Sequence, residues 1–233
     1  VRSRRQRQMC IRDSNDFISS NEGNSLIAEK LSLLSSQIGL NPSWMDELLD
    51  FSDIDGEVRP GGAEDYYYLG LERPYRTSGQ PLQDLSEIRL LRTMTDEAYG
   101  RLSEVMTVLP TAGGALNVNT APPMVLQTLA TDLNLESATS LAESRLRLDG
   151  FESVEQFLQQ PELAGLAVKP AGLGVQSSFF KVNTRARFGS QIVFLTSFVF
   201  RDATTGKMTV YQRKNNERFT PFVPEEEILA NGL

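Results

Sequence analysis

The hydrophobic rhythm of this 233-residue chain changes once, near residue 176, and that change constrains the fold more than any other feature. Up to about residue 168, apolar residues recur in short bursts at three- and four-residue steps, the period of helices that bury one face. Ile27, Leu31, Leu34 and Ile38 form the first burst. From Phe179 the period falls to two: in "FKVNTRARF", Phe180, Val182, Ala186 and Phe188 alternate with Lys181, Asn183, Arg185 and Arg187. Such alternation predicts a half-buried strand with one wet face. A block of helices followed by a block of strands is an α+β chain.

Local signals divide both blocks further. Asn41 then Pro42 read as a cap and first-turn proline opening a helix through Trp44, Leu48 and Leu49. "PLQDLSEIRLLRTM" puts Leu85, Ile88 and Leu91 on one face, and Thr95 is expected to cap a helix carrying Tyr99, Leu102 and Met106. Beyond Gly113-Gly114, Thr120 is the expected cap of a helix with Pro122 and Pro123 in its first turn and Val125, Leu126 and Leu129 facing inward. Another helix is expected over about Glu136 to Leu148, ending at Asp149-Gly150, and Ser153 with Gln156 makes a capping box before Phe157. In the second block, "QIVFLTSFVF" is apolar on both faces and is the expected central strand. Turns at Gly189-Ser190 and in "DATTGK" make the three strands an antiparallel meander.

Composition narrows the functional classes. A net charge of -7 argues against a phosphate backbone as partner. Histidine is absent, which leaves carboxylates and oxygen-preferring cations as the natural chemistry. Cys10 is the single cysteine, so no internal disulfide forms. The first fourteen residues, "VRSRRQRQMCIRDS", hold five arginines against Asp13 and read as a foreign leader rather than a basic arm. The expected organisation is therefore a leader at 1–14, a helical domain at 15–176, a sheet part at 177–215 and a loose tail at 216–233.

The densest chemistry lies within the helical block, at about residues 50–68, "DFSDIDGEVRPGGAEDYYY". Counted from Asp53, Asp55 falls third, Glu57 fifth and Glu64 twelfth, oxygen-donor positions of a helix-flanked calcium loop. The sixth position is Val58 instead of glycine, so the pattern is not that of a true EF-hand. Carboxylates packed so closely repel unless a cation lies among them, and Arg59 can offset one of them. Two readings stand on the residues alone: a calcium loop, or a solvated acidic turn in which Gly61-Gly62 merely allow the bend.

These segments, taken in order, resemble one known family. "DIDGEVRPGGAEDYYYLGLERPYR", "LSEIRLL", "NVNTAPPMVLQTL" and "FESVEQF" are similar to the K component of the type II secretion pseudopilus, its largest minor pseudopilin, over roughly Asn41 to Arg213. The resemblance implies a non-enzymatic structural protein with a pilin-like antiparallel β-meander and a mainly helical domain of the helix-hairpin-helix or SAM-like kind. It implies a place at the tip of the periplasmic pseudopilus, bound to minor pseudopilins I and J. It also implies Ca²⁺ in the acidic loop, with Asp53, Asp55, Glu64 and Asp65 as ligand candidates and Glu57 beside them. Such a protein is anchored in the bacterial inner membrane only through an N-terminal hydrophobic helix, absent from this chain; the leader stands in its place.

The competing class is nucleic-acid binding, because "NVNTAPPMVLQTL" also resembles the entry of helix-hairpin-helix DNA-binding modules. Those modules need a glycine-rich hairpin so that backbone N–H groups can approach phosphate. Here "TDLNLES" has no glycine and carries Asp132 and Glu136. A protein of this kind is expected to bind no nucleic acid.

Overall fold

A computed structural model describes residues 12–13, 18, 25–110 and 114–218. Most of the leader at 1–14 and the tail from 219 therefore lie outside the described residues. The chain divides into two compact units, one holding the described residues up to Val175 and the other those from Gln176.

The first unit is a succession of short helices. Helix α1 (Ser25–Gln37) buries Leu31 and Leu34 and ends at Gly39 in the left-handed region (φ +65°). There Gly39 N donates to Ser36 O and Leu40 N to Ser35 O, the paired bonds of a Schellman stop that glycine makes cheap. Asn41 Oδ1 accepts from Ser43 N at 3.0 Å and tightens the turn into α2 (Trp44–Ser52), but the helix begins two residues later than expected, with Ser43 and not Asn41 at its N-cap. Trp44, Leu48 and Phe51 form the buried face of α2, and the Trp44 indole donates to Ser35 Oγ at 2.9 Å.

After the acidic segment come α3 (Asp65–Leu69), a 3-10 turn (Leu85–Leu90) and α4 (Asp96–Ser103). Thr95 caps α4 by accepting from Ala98 N, as expected. Met106 leaves the helix, however, and is buried in the two-residue strand β2 (Met106–Thr107), which pairs in parallel with β1 (Arg12–Asp13). Leu102, Val105 and Met106 all stay buried, so the exit from the helix costs no apolar contact with the core.

A second correction concerns α5 (Pro123–Gln127). Its cap is Pro122, not Thr120, because a residue preceding proline is driven to extended backbone, and Pro122 lies at φ -62°, ψ 153°. Helix α6 (Leu135–Arg147) is capped by Asn134 Oδ1 on Ser137 N, and the chain leaves it through Asp149 and Gly150, both at positive φ. Helix α7 (Val154–Leu158) has Ser153 Oγ on Gln156 N, while the Gln156 side chain takes Glu152 N rather than the cap's own amide. Strands β3 (Leu116–Asn117) and β4 (Leu173–Gly174) form a second short parallel pair. One continuous hydrophobic cluster runs through this unit from Leu31 to Leu163.

The second unit is a three-stranded antiparallel meander of β5 (Phe179–Phe188), β6 (Gln191–Arg201) and β7 (Met208–Asn215), with β6 central. The pairing of β6 with β7 slips at Phe198/Val199, where Tyr211 of β7 is the extra residue of a bulge. The chain is thus α+β.

Candidate metal centre

The acidic segment hangs from the C-terminal end of α2 and returns to α3, and its glycines fix its shape. Gly61 N donates to Asp46 Oδ2 at 3.0 Å, and Gly61 O accepts from Arg92 Nη2 at 2.9 Å. Arg92 is itself held by the fully buried Glu47, whose carboxylate also takes Thr93 N and Thr93 Oγ1. Both backbone groups of Gly61 are therefore pinned by side chains from separate elements. The next residue, Gly62, lies so close to Asp50 that an added Cβ would stand 1.8 Å from Asp50 Oδ2. Only glycine fits there, so Gly61-Gly62 do more than allow a bend: they seat backbone against carboxylates.

The pocket closed in this way gathers Asp50, Asp53 and Glu64, with one carboxylate oxygen from each lying within 4.8 Å of the others. Asp50 is fully buried and Glu64 is 7 % exposed. Arg59 enters the same space: its Nη1 lies 2.5 Å from Asp50 Oδ1 and 2.7 Å from Asp53 Oδ2, and its backbone N is 3.2 Å from Asp50 Oδ2. Two buried oxygens have no hydrogen-bond partner, Asp53 Oδ1 and Glu64 Oε1. Burial first, then the neighbouring charges of Asp53 and Asp50, pushes the Glu64 carboxyl up to about 7. Three acids and one arginine leave an excess of negative charge in a pocket with unfilled oxygen lone pairs.

The candidate ligands fall into two groups. Asp53 and Glu64 come together in the pocket. Asp55 is exposed and closes a local turn by accepting from Glu57 N at 2.9 Å; Glu57 is exposed too. Asp65 faces Thr77 and Arg76, accepting from Thr77 N at 2.8 Å and from Arg76 Nη1 at 2.7 Å. Those bonds hold its carboxyl below the usual carboxylate range. Asp50, counted in the acidic stretch but not among the ligand candidates, is the third member of the cluster. A signal for it existed in α2, where Glu47 and Asp50 stand three residues apart, between the buried Trp44 and Phe51. Acids at those positions belong to a helix face that turns inward.

The other pattern singled out in the sequence, "NVNTAPP", proves architectural. Asn117 Oδ1 accepts from Asn119 N. The Asn119 side chain accepts from Phe151 N at 2.7 Å and donates to Phe151 O and Val175 O at 2.9 and 3.1 Å.

A helical scaffold with a carboxylate pocket, followed by an antiparallel meander, defines the class of protein, and comparison with known proteins gives its family. Two family models match, over residues 15–111 and 116–176, and both describe protein K of the type II secretion system. The chain belongs to that family. It is 38% identical to the type II secretion system protein K of Klebsiella pneumoniae over 120 residues, half of this chain and 36% of that protein. With the Aeromonas hydrophila protein of the same name it shares 31% over 176 residues, 73% of this chain and 53% of the relative. The Pseudomonas aeruginosa protein is 32% identical over 72% of this chain and 49% of its own length. The chain thus spans between about a third and a half of these relatives. Among solved structures, a chain of the GspK-GspI-GspJ complex from enterotoxigenic Escherichia coli superposes with a TM-score of 0.75 at 25% identity, covering 89% of this chain and 78% of that one.

Proposed function

We propose that this chain is the periplasmic part of a minor pseudopilin of the type II secretion system, a structural and non-catalytic component that joins pseudopilins I and J at the tip of the pseudopilus. The observation that carries the reading is the likeness, over nearly nine-tenths of the chain, to a subunit of a K–I–J complex. Among the described residues no helix is long and apolar enough to cross a membrane, in keeping with a domain that stands clear of the bilayer. The connection between α5 and α6 carries Asp132 and no glycine, which favours a protein partner over DNA. Titration of an I–J pair with this chain, followed by light scattering, tests the proposal: a stable 1:1:1 complex is expected, and a persistent mixture of I–J and free chain would reject it.

Within that role, the pocket is read as a structural calcium site. The donors present suit the ion: three hard carboxylates converge, and two buried oxygens lack partners. Asp50, Asp53 and Glu64 would hold it, with Asp55 and Glu57 as outer acids on the same loop and Asp65 bracing the start of α3. Calcium takes about 6–8 oxygens, so water or backbone carbonyls complete the shell. Its contribution is to neutralise the acids and fix the loop. Millimolar Ca²⁺ is expected to raise the Tm of the chain, and Asp53→Asn with Glu64→Gln to abolish that rise.

A further inference from the structure

We propose that Arg59 is the resident counter-cation of this pocket and competes with the divalent ion for it, so that removing its charge tightens metal binding while weakening the metal-free fold. The proposal rests on the calcium reading above.

Arg59 Nη1 bridges Asp50 Oδ1 and Asp53 Oδ2 at 2.5 and 2.7 Å, standing between two of the three carboxylates whose oxygens converge within 4.8 Å. That is where a shared cation belongs. A guanidinium offers only donors and can never serve as a ligand, so a metal ion on the same oxygens must share them with a neighbouring positive charge. At such separations two cations repel strongly in a partly buried site. Arg59 also leaves its task unfinished: one unit of charge faces three acids, and Asp53 Oδ1 and Glu64 Oε1 stay without partners.

The surroundings let the side chain leave without dismantling the loop. The Arg59 side chain is 28 % exposed and so has a path to solvent, whereas Asp50 is sealed beneath it. The backbone beyond it is fixed independently, because Gly61 is held by Asp46 and Arg92 and Gly62 is wedged against Asp50. A metal can therefore displace one side chain while the loop keeps its course. Arginine in this position keeps the pocket ordered when calcium is scarce and sets the concentration at which calcium takes over.

The test is calorimetric titration of Ca²⁺ into the 233-residue chain and its Arg59→Met and Arg59→Lys variants, with melting curves in chelator. Arg59→Met keeps much of the side-chain volume and loses the charge; its calcium Kd is expected to fall on the order of tenfold while its metal-free Tm also falls. Arg59→Lys, which places a single ammonium less well between the two acids, should lie between. Removing a residue that merely braced the loop would lower the metal-free Tm as well, but it would weaken calcium binding instead of tightening it, so the sign of the change in Kd separates the two roles. Unchanged or weaker binding in both variants, with the parent chain still binding calcium, would overturn the role of Arg59 alone. Should Arg59→Met fail to fold, Arg59→Lys decides by the same sign. No calcium binding by the parent chain at 10 mM, ~10-fold above the weak end of extracellular sites, would overturn the calcium reading and this proposal with it.

Discussion

Phe157 and Phe188 are the same residue in opposite circumstances. Phe157, in the helical unit, is fully buried and meets the Phe151 ring edge-on at 5.3 Å; Phe188, at the end of β5, is 88 % exposed. The contrast extends to the regions around them. The helical unit encloses a continuous apolar core and satisfies its buried acids internally or gathers them in one pocket. In the described part of the sheet unit, Val199 is the one buried hydrophobic residue, and the centre of the sheet holds a polar pair, Thr196 Oγ1 donating to Asn183 Oδ1 at 3.0 Å. The strands carry Lys181, Arg185, Arg187, Arg201, Arg213 and Lys214 and no acid, with Lys181 and Lys214 lying over the Phe198 ring. One region is stabilised by what it encloses; the other, in its described residues, by the hydrogen-bond ladder between its strands.

The largest effect should come from the enclosed region. Phe157→Ala is expected to cost about 3–5 kcal/mol in urea unfolding, because it empties a site packed on every side. A loss below about 1 kcal/mol would mean that the core is far looser than its burial implies.

A smaller effect is expected from pH, and it belongs to the same region. The Glu64 carboxyl titrates near 7 in the folded chain and near its ordinary 4.5 when unfolded. Between those values the folded state binds the extra proton, so this group's stabilising contribution is complete below 4.5 and is lost as pH rises through 7. In chelator, the Tm of the parent chain should therefore fall across that window relative to Glu64→Gln. Calcium should reverse the fall at neutral pH by holding the ionised form. A parallel pH profile for the two proteins would show that Glu64 ionises normally.

The smallest effect should come from the sheet. Phe188→Ser is expected to change stability by no more than about 0.5 kcal/mol, as exposed substitutions usually do. A loss as large as that of Phe157→Ala would erase the distinction between the regions.

These differences also govern what was legible in the sequence. The three strands and their order could be read outright, and so could the caps at Thr95 and Ser153, which depend on neighbours in sequence; the expected wet face could not, since Phe188 is exposed and Asn183 is the buried residue of β5. The exit of Met106 into a strand could not, because its partner is Arg12, far away along the chain. In the pocket, carboxylate density was visible, but counting along the loop favoured Asp55 over Asp50. Loop spacing ignores the helix that precedes it, and Asp50 enters from that helix. The steric meeting of Gly62 with Asp50 was equally hidden, being a contact between residues twelve apart. Sequence discloses local chemistry; convergence across elements it leaves to packing.

The short parallel pair of β3 and β4 bears on the order of events during folding. It joins Leu116–Asn117 to Leu173–Gly174, with α5, α6 and α7 in between, and Asn119 reinforces it by donating to Val175 O. Closing so long a loop is entropically slow, whereas each intervening helix can form from its own neighbours. The seam must set late, once those helices have assembled, so the last stretch of the helical unit is fixed only after its middle has formed.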